Sequence, residues 1–198
     1  MAGVPFEPEL LKFASATILR ERINHVVDVG ANFGLYTVIL GNLNSVSSVD
    51  AFEPVRRTFN QLTANVFLNR LDAKVALHNF ALGSKEDEQQ IHIAPISSGL
   101  ATFNSAARPR PSLFTSREMV SIRRGDDTLR FRGEIIYGKI DVEGLALDVL
   151  QGLPIFLSEN AGFIQIEVDP KETDVVDFMS HHGWRRIRQM PGDAIFQK

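Results

Sequence analysis

The stretch Val26-Val27-Asp28-Val29-Gly30-Ala31-Asn32-Phe33-Gly34 constrains this chain more than any other, because a buried strand here runs straight into a glycine turn. Val26, Val27 and Val29 are β-branched, as a buried strand requires. Gly30 and Gly34 open a turn into the amphipathic run Leu35 to Leu43, so a helix start faces whatever sits above the strand end. A second apolar run, Val46 to Phe52, ends in Glu53-Pro54. An acidic residue closing the second strand of a βαβ unit, about 20 residues after the glycines, is placed to hold a ribose diol. The dinucleotide fingerprint G-x-G-x-x-G would need glycines at 30, 32 and 35, where this chain has Gly30, Asn32 and Leu35. The middle glycine lets backbone approach a pyrophosphate. Its absence points to a nucleoside cofactor without one.

S-adenosylmethionine fits such a pocket, with its adenosine at Glu53 and its carboxylate at the helix start. The same residues carry a family resemblance. Asp28-Val29-Gly30-Ala31-Asn32-Phe33-Gly34-Leu35-Tyr36-Thr37 resembles motif I of class I S-adenosylmethionine-dependent methyltransferases, and specifically the D-V-G-A-N-x-G-x-Y-T of the FkbM family. Phe52-Glu53-Pro54 with Leu62, Asn65 and Asn69 is similar to that family's F-E-P followed by L-x-x-N-x-x-x-N. Ala81-Leu82-Gly83 resembles its A-L-G, Lys139 to Gly144 its K-I-D-V-E-G, and Val149-Leu150-Gln151-Gly152 its V-L-x-G. Several blocks in the right order, over roughly residues 26 to 167, make the resemblance specific. It implies an α/β fold, a Rossmann-like doubly wound sheet of about seven strands, mostly parallel with an antiparallel C-terminal strand. It also implies cofactor contacts at Asp28, Gly30, Asn32, Gly34, Glu53, Pro54, Ala81 and Asp141. Asp28 is expected to anchor the methionine ammonium, directly or through water.

The composition bounds the rest. At 198 residues, 44% hydrophobic and 23% charged, the chain reads as one ordinary soluble domain spanning 1–198. A formal charge of -3 gives no reason to expect a nucleic-acid partner. The absence of cysteine excludes disulfides and thiolate metal sites. No apolar run approaches the roughly 20 residues a membrane span needs. Met1 to Pro8 lacks the basic and apolar regions of a secretory signal, so a cytoplasmic location is expected.

Along the chain, helices are predicted at Pro8 to Glu21, Gly34 to Leu43, Val55 to Leu68, Leu145 to Gln151 and Glu172 to His181. Strands are predicted at Val26 to Val29, Val46 to Phe52, Lys74 to Phe80, Gln89 to Ala94, Ile135 to Ile140 and Phe163 to Val168. Met119 to Ile122 is a further strand candidate. Trp184 to Gln189 and Ala194 to Phe196 are predicted to pair as a hairpin around Pro191-Gly192. Pro95 to Arg117 has four breakers, many small polar residues and no period. It reads as a long irregular loop that orders over the acceptor.

Lys139 and Asp141 lie two apart on a strand, so they share a face and can present a cation and a carboxylate together. The structural alternative is a buried ion pair, with Glu143 as a first-turn acid of the next helix. Asp141 is the expected base or orienting group for an acceptor hydroxyl, and Lys139 its electrostatic partner. Asn79, Phe80 and Ala81 end the third strand where an adenine edge would lie, and Glu167 is a candidate for the site rim. Tyr36 and Thr37 suit packing as well as contact. Asp126-Asp127 resembles the family's acidic pair, but Arg124-Gly125 stands before it and a solvated turn is the simpler reading. Ala146 and Arg56 replace family residues and bear on the acceptor pocket. His181-His182-Gly183 reads as a helix end without metal, and no metal site is expected. The arginines at 108–110 and 185–188 read as solvated faces.

These residues predict methyl transfer from S-adenosylmethionine to a small-molecule, natural-product or glycan acceptor. Oxygen rather than nitrogen is implied by the family resemblance alone. A methyltransferase of RNA or protein, and a non-catalytic nucleoside-binding module, stay open as alternatives. Neither the acceptor nor the oligomeric state is legible.

Overall fold

A computed structural model of the chain describes residues 7–95, 101–107, 109–142, 144–169 and 172–198. In chain order its elements are α1 (Pro8–Glu21), β1 (His25–Val29), α2 (Leu35–Gly41), β2 (Ser48–Phe52), α3 (Arg56–Leu68), β3 (Val75–His78), β4 (Ala81–Gly83), β5 (Asp87–Ile93) and β6 (Ala101–Thr102). They continue with β7 (Ser116–Arg124), α4 (Gly125–Thr128), β8 (Ile135–Ile140), α5 (Ala146–Gln151), α6 (Pro154–Glu159), β9 (Ala161–Glu167), α7 (Thr173–His181), β10 (Arg185–Met190) and β11 (Asp193–Gln197).

Seven strands form the main sheet in the order β10-β11-β9-β8-β1-β2-β3. The five from β9 to β3 run parallel, while β11 is antiparallel to β9 and to β10. Strand alternation divides the core between the two faces. Val26, Val49, Ala51, Tyr137 and Phe163 pack with Leu10, Ile18, Leu40 and Leu62 from α1, α2 and α3. Val27, Val29, Phe52, Ile136, Ile140 and Ile164 pack with Leu150, Phe156, Val175 and Met179 from α5, α6 and α7. This is the doubly wound three-layer arrangement. The antiparallel terminal hairpin forms around Pro191-Gly192 as predicted.

A four-stranded sheet of order β4-β7-β5-β6 stands beside the main one and was not foreseen. It accounts for three departures from the sequence reading. The third strand stops at His78, because Ala81–Gly83 leaves the main sheet to pair with Ile122 to Arg124. The strand expected at Met119 to Ile122 runs for nine residues, Ser116–Arg124. The segment from 95 to 117 is not structureless where it is described. It contains β6, paired with His92 and Ile93, two short 3-10 turns and the start of β7. Residues 96–100 and 108 lie outside the described residues.

The helix α6 was also missed. Pro154 sits in its first turn, and its Ile155 and Phe156 N–H groups are capped by Asp126 at 3.0 and 2.8 Å. Asp126 is therefore buried and engaged, not part of a solvated turn, whereas Asp127 is exposed. The cap comes from 29 positions upstream, so Pro154 was the local signal of this helix start and its cap was not legible. At the C-terminal end of α7, the rings of His181 and His182 bond the carbonyl oxygens of Asp177 and Phe178. Among the described residues no helix is long and apolar enough to cross a membrane.

Candidate active site

Strand register assembles the site. Val29 is opposite Phe52 on one side and Ile140 on the other, and Ile140 is opposite Ile166. The next residue of each strand falls in one row: Glu53, Gly30, Asp141, Glu167. With strands about 4.8 Å apart, that row spans three strand spacings at the carboxyl edge, where open α/β sheets bind ligands. It lines a cavity of about 590 Å³ with Asn32, Phe33 and Pro54 beside it. Ala81, Leu82, Ile91, Ala101, Thr102 and Phe103 supply the wall from the smaller sheet. Phe33, Ile91 and Phe103 were not singled out by the sequence, since nothing local says which phenylalanine of fourteen borders a cavity.

The turn after β1 is closed on itself. The Gly30 and Ala31 N–H groups both donate to the Phe52 carbonyl, at 3.0 and 2.9 Å. The Asn32 N–H donates to Glu53 Oε2 at 3.0 Å, the Phe33 N–H to Asn32 Oδ1 at 2.9 Å, and the Gly34 N–H to the Ala31 carbonyl at 2.8 Å. Gly30 has φ 79°, and a Cβ there would lie 1.9 Å from the Asp141 carbonyl oxygen. Asn32 takes the left-handed region at φ 53°, which asparagine tolerates better than most side chains.

Glu53 is gripped from both sides, since its Oε1 also accepts the Val55 N–H at 2.8 Å. Burial pushes its carboxyl up to about 7, against the two backbone hydrogen bonds that favour the charged form. Asn79 does not face the cavity as an adenine edge contact would. Its amide donates to the Glu53 and Pro54 carbonyls at 2.9 and 3.0 Å, bracing the Glu53-Pro54 turn.

Asp28, expected at the ligand, is buried under the cavity floor and is not among its lining residues. Its Oδ2 accepts both the Thr37 N–H at 2.9 Å and the Thr37 hydroxyl at 2.6 Å. The carboxylate at this helix start is thus the chain's own, the position foreseen for a ligand's carboxylate. Burial raises the Asp28 pKa, opposed by the Lys139 charge and the Thr37 bonds. Gly34 likewise lies off the cavity, and a Cβ there would lie 2.6 Å from Leu62 Cδ1.

Lys139 and Asp141 do meet, with Nζ and Oδ2 2.5 Å apart, but the two differ in exposure. The Asp141 side chain is a third exposed and borders the cavity, while Lys139 is buried behind it. Burial works against the Lys139 charge, yet Asp141, Asp28 and Glu7 together outweigh it and raise its pKa. The ammonium also lies over the Tyr36 ring, 4.6 Å from its centroid.

Asp28, Lys139 and Gln165 form a second row on the α2 side of the sheet, adjacent by register. Gln165 is fully buried. Its Oε1 accepts the Tyr137 hydroxyl at 3.0 Å, and its Nε2 donates to Tyr36 Oη at 3.1 Å and Asp193 Oδ1 at 2.8 Å. The sequence does signal this residue, as the lone polar side chain within Phe163-Ile164-Gln165-Ile166. Tyr36 in turn donates its hydroxyl to Glu7 Oε2 at 3.0 Å, and Glu7 lines the cavity. Glu143 lies outside the described residues. Ala146 is buried at the start of α5, and the Arg56 N–H donates to Glu118 Oε1 at 3.0 Å.

A sequence model of the methyltransferase FkbM domain matches residues 28–189. The chain belongs to the FkbM methyltransferase family. Its FkbM-type sequence is 30% identical over 152 residues to the hexuronic acid methyltransferase AglP of Haloferax volcanii, covering 73% of this chain and 57% of that protein. It is 28% identical over 147 residues to Methyltransferase 1 of Beauveria bassiana, covering 65% of this chain and 57% of that protein. The chain thus spans rather more than half the length of these curated relatives. The fold is similar to the crystal structure of an FkbM methyltransferase from Methylobacillus flagellatus KT, with TM-score 0.63 at 16% identity over 97% of this chain and 50% of that one. It is also similar to a precorrin-6y C5,15-methyltransferase from Geobacter metallireducens, with TM-score 0.55 at 12% identity over 99% and 89% of the two chains.

Proposed function

We propose that this chain transfers a methyl group from S-adenosylmethionine to a hydroxyl of a small-molecule or glycan acceptor. The observation that carries the reading is Glu53, fixed by two backbone N–H groups at the cavity wall two strands from Asp141. Each of its oxygens accepts one backbone hydrogen bond and keeps a lone pair for one hydroxyl of a ribose diol. The residues fit a nucleoside and not a dinucleotide. Every backbone N–H from Gly30 to Gly34 is already bonded within the protein, so the turn itself offers none to a pyrophosphate.

When bound, S-adenosylmethionine supplies a methyl already made electrophilic by its sulfonium. The chain's own contribution is therefore positioning and proton handling. Glu53, Pro54 and the Gly30–Asn32 turn hold the nucleoside end, and Ala81 and Leu82 border it from the smaller sheet. Asp141 accepts the acceptor's proton at its carboxylate, or orients the hydroxyl, as the new bond forms. Buried Lys139 fixes that carboxylate in place through its ion pair. Ile91, Ala101 and Phe103, clustered with Val55, add an apolar wall from the smaller sheet. A sugar acceptor is supported by the similarity to AglP, whose name assigns it a hexuronic acid.

Calorimetric titration with S-adenosylmethionine, S-adenosylhomocysteine, NAD and FAD tests the cofactor, and binding by the first two alone is expected. NAD binding tighter than S-adenosylmethionine would overturn the reading. Transfer of labelled methyl to a panel of hydroxylated small molecules and sugars, against amines of the same skeletons, tests the acceptor atom.

A further inference from the structure

The cavity has two unlike ends. Around Glu53 it is bounded by Phe52, Pro54 and Val55, whereas toward Asp141 three acids, Glu7, Asp141 and Glu167, border it beside Val142 and Leu145. The lysine at that acidic end is held behind Asp141 and charge-paired with it. A cationic group of a ligand is favoured there.

Two of the acids cannot serve a cation equally. Asp28 is closed off under the floor by Thr37, and Asp141 already has an ammonium on Oδ2. Glu7 differs. It precedes α1, outside the 28–189 that match the family, and its carboxylate comes to the cavity anchored by a neutral donor. That anchor is directional. Tyr36 Oη accepts from Gln165 Nε2, so its own proton points to Glu7 Oε2. Gln165 is in turn fixed by Tyr137 and Asp193. Tyr36 carries the Lys139 ammonium on its ring face, which sets Glu7 on the Asp141 side of the row, away from Glu53. The amino-acid arm of S-adenosylmethionine leaves the ribose through the sulfur and so extends toward that side.

We infer that Glu7 receives the ammonium of the cofactor's methionine arm, in the role first expected of Asp28; the inference rests on the S-adenosylmethionine reading. A primary ammonium has three donors and no acceptor, and an anchored carboxylate with open lone pairs is its natural counterpart.

The test compares two ligands on the full chain. S-adenosylhomocysteine carries the amino-acid arm, and 5′-methylthioadenosine keeps the nucleoside and sulfur but lacks it. In Glu7→Gln the side-chain oxygen still accepts the Tyr36 hydroxyl, so only the charge is lost. The variant should bind S-adenosylhomocysteine roughly 10- to 100-fold more weakly, as expected for a charge-assisted bond, with 5′-methylthioadenosine affinity unchanged. That unchanged affinity also reports an intact fold. Equal weakening of both ligands, or of neither, overturns the role of Glu7 while leaving the cofactor reading standing. If the unaltered chain binds neither ligand, the cofactor reading falls and this inference with it.

Discussion

Glu53 accepts the Asn32 N–H at 3.0 Å, so the acid that ends the second strand is held by the turn that ends the first. Its other oxygen is held by Val55. The carboxylate is therefore preorganised before any ligand arrives, and interactions of this kind are made equally in ground and transition states.

It follows that Glu53→Ala should weaken S-adenosylhomocysteine binding by about 1.5–3 kcal/mol. At saturating S-adenosylmethionine the rate should change little, because uniform binding raises affinity without lowering the chemical barrier. Calorimetry and single-turnover kinetics together check both halves. A large fall in saturated rate with unchanged affinity would contradict it.

The raised Glu53 pKa has a sign that can be measured. With a folded value of about 7 against 4.5 for the free group, the native state holds this proton more tightly than the unfolded one. The stability it contributes is fully present below about pH 4.5 and is lost as pH rises through about 7. Asp193, raised by burial to about 6, acts in the same direction. Melting temperature of the ligand-free protein should fall from pH 5 to pH 7.5, and Glu53→Gln should flatten part of that slope. Cofactor affinity should run the opposite way, weakening as pH drops below about 7 and protonates the diol acceptor. Identical melting profiles for the two proteins would refute the assignment.

Asp141→Asn is nearly isosteric and keeps a hydrogen-bonding group beside Lys139. If Asp141 takes the acceptor's proton, turnover should fall by roughly 10²–10⁴-fold with cofactor affinity retained. Melting curves must accompany the assay, because a buried Lys139 that loses its charged partner destabilises the fold. Normal turnover with weakened cofactor binding would move Asp141 from the acceptor to the cofactor.

Gly30 and Gly133 separate collision from conformational strain. Both have positive φ, 79° and 72°, but a Cβ at Gly30 meets the Asp141 carbonyl at 1.9 Å while one at Gly133 meets nothing within 4 Å. Gly133→Ala should cost only the left-handed penalty, about 1–2 kcal/mol. Gly30→Ala should cost more than about 3 kcal/mol, since two strand ends must separate. Chemical denaturation of the two variants compares them directly, and equal costs would mean that the site's backbone yields.

Much of this protein was determined by its sequence. The β-branched runs, the glycines at 30 and 34 and the acid at 53 specify a parallel βαβ unit, because period and turn chemistry are local properties. Later blocks with the same logic placed Asp141 and Glu167 at neighbouring strand ends. Tertiary structure decided what each acid faces. Asp28 and Glu53 were both expected at the cofactor, yet side-chain alternation turns Asp28 under α2 toward Thr37, while Glu53, beyond the end of its strand, borders the cavity. The second sheet, the Asp126 cap of α6 and the reach of Glu7 to Tyr36 all join residues 29 or more positions apart, or strands whose partners no periodicity names. Such contacts depend on how completed elements pack, and that information is absent from any single stretch of chain.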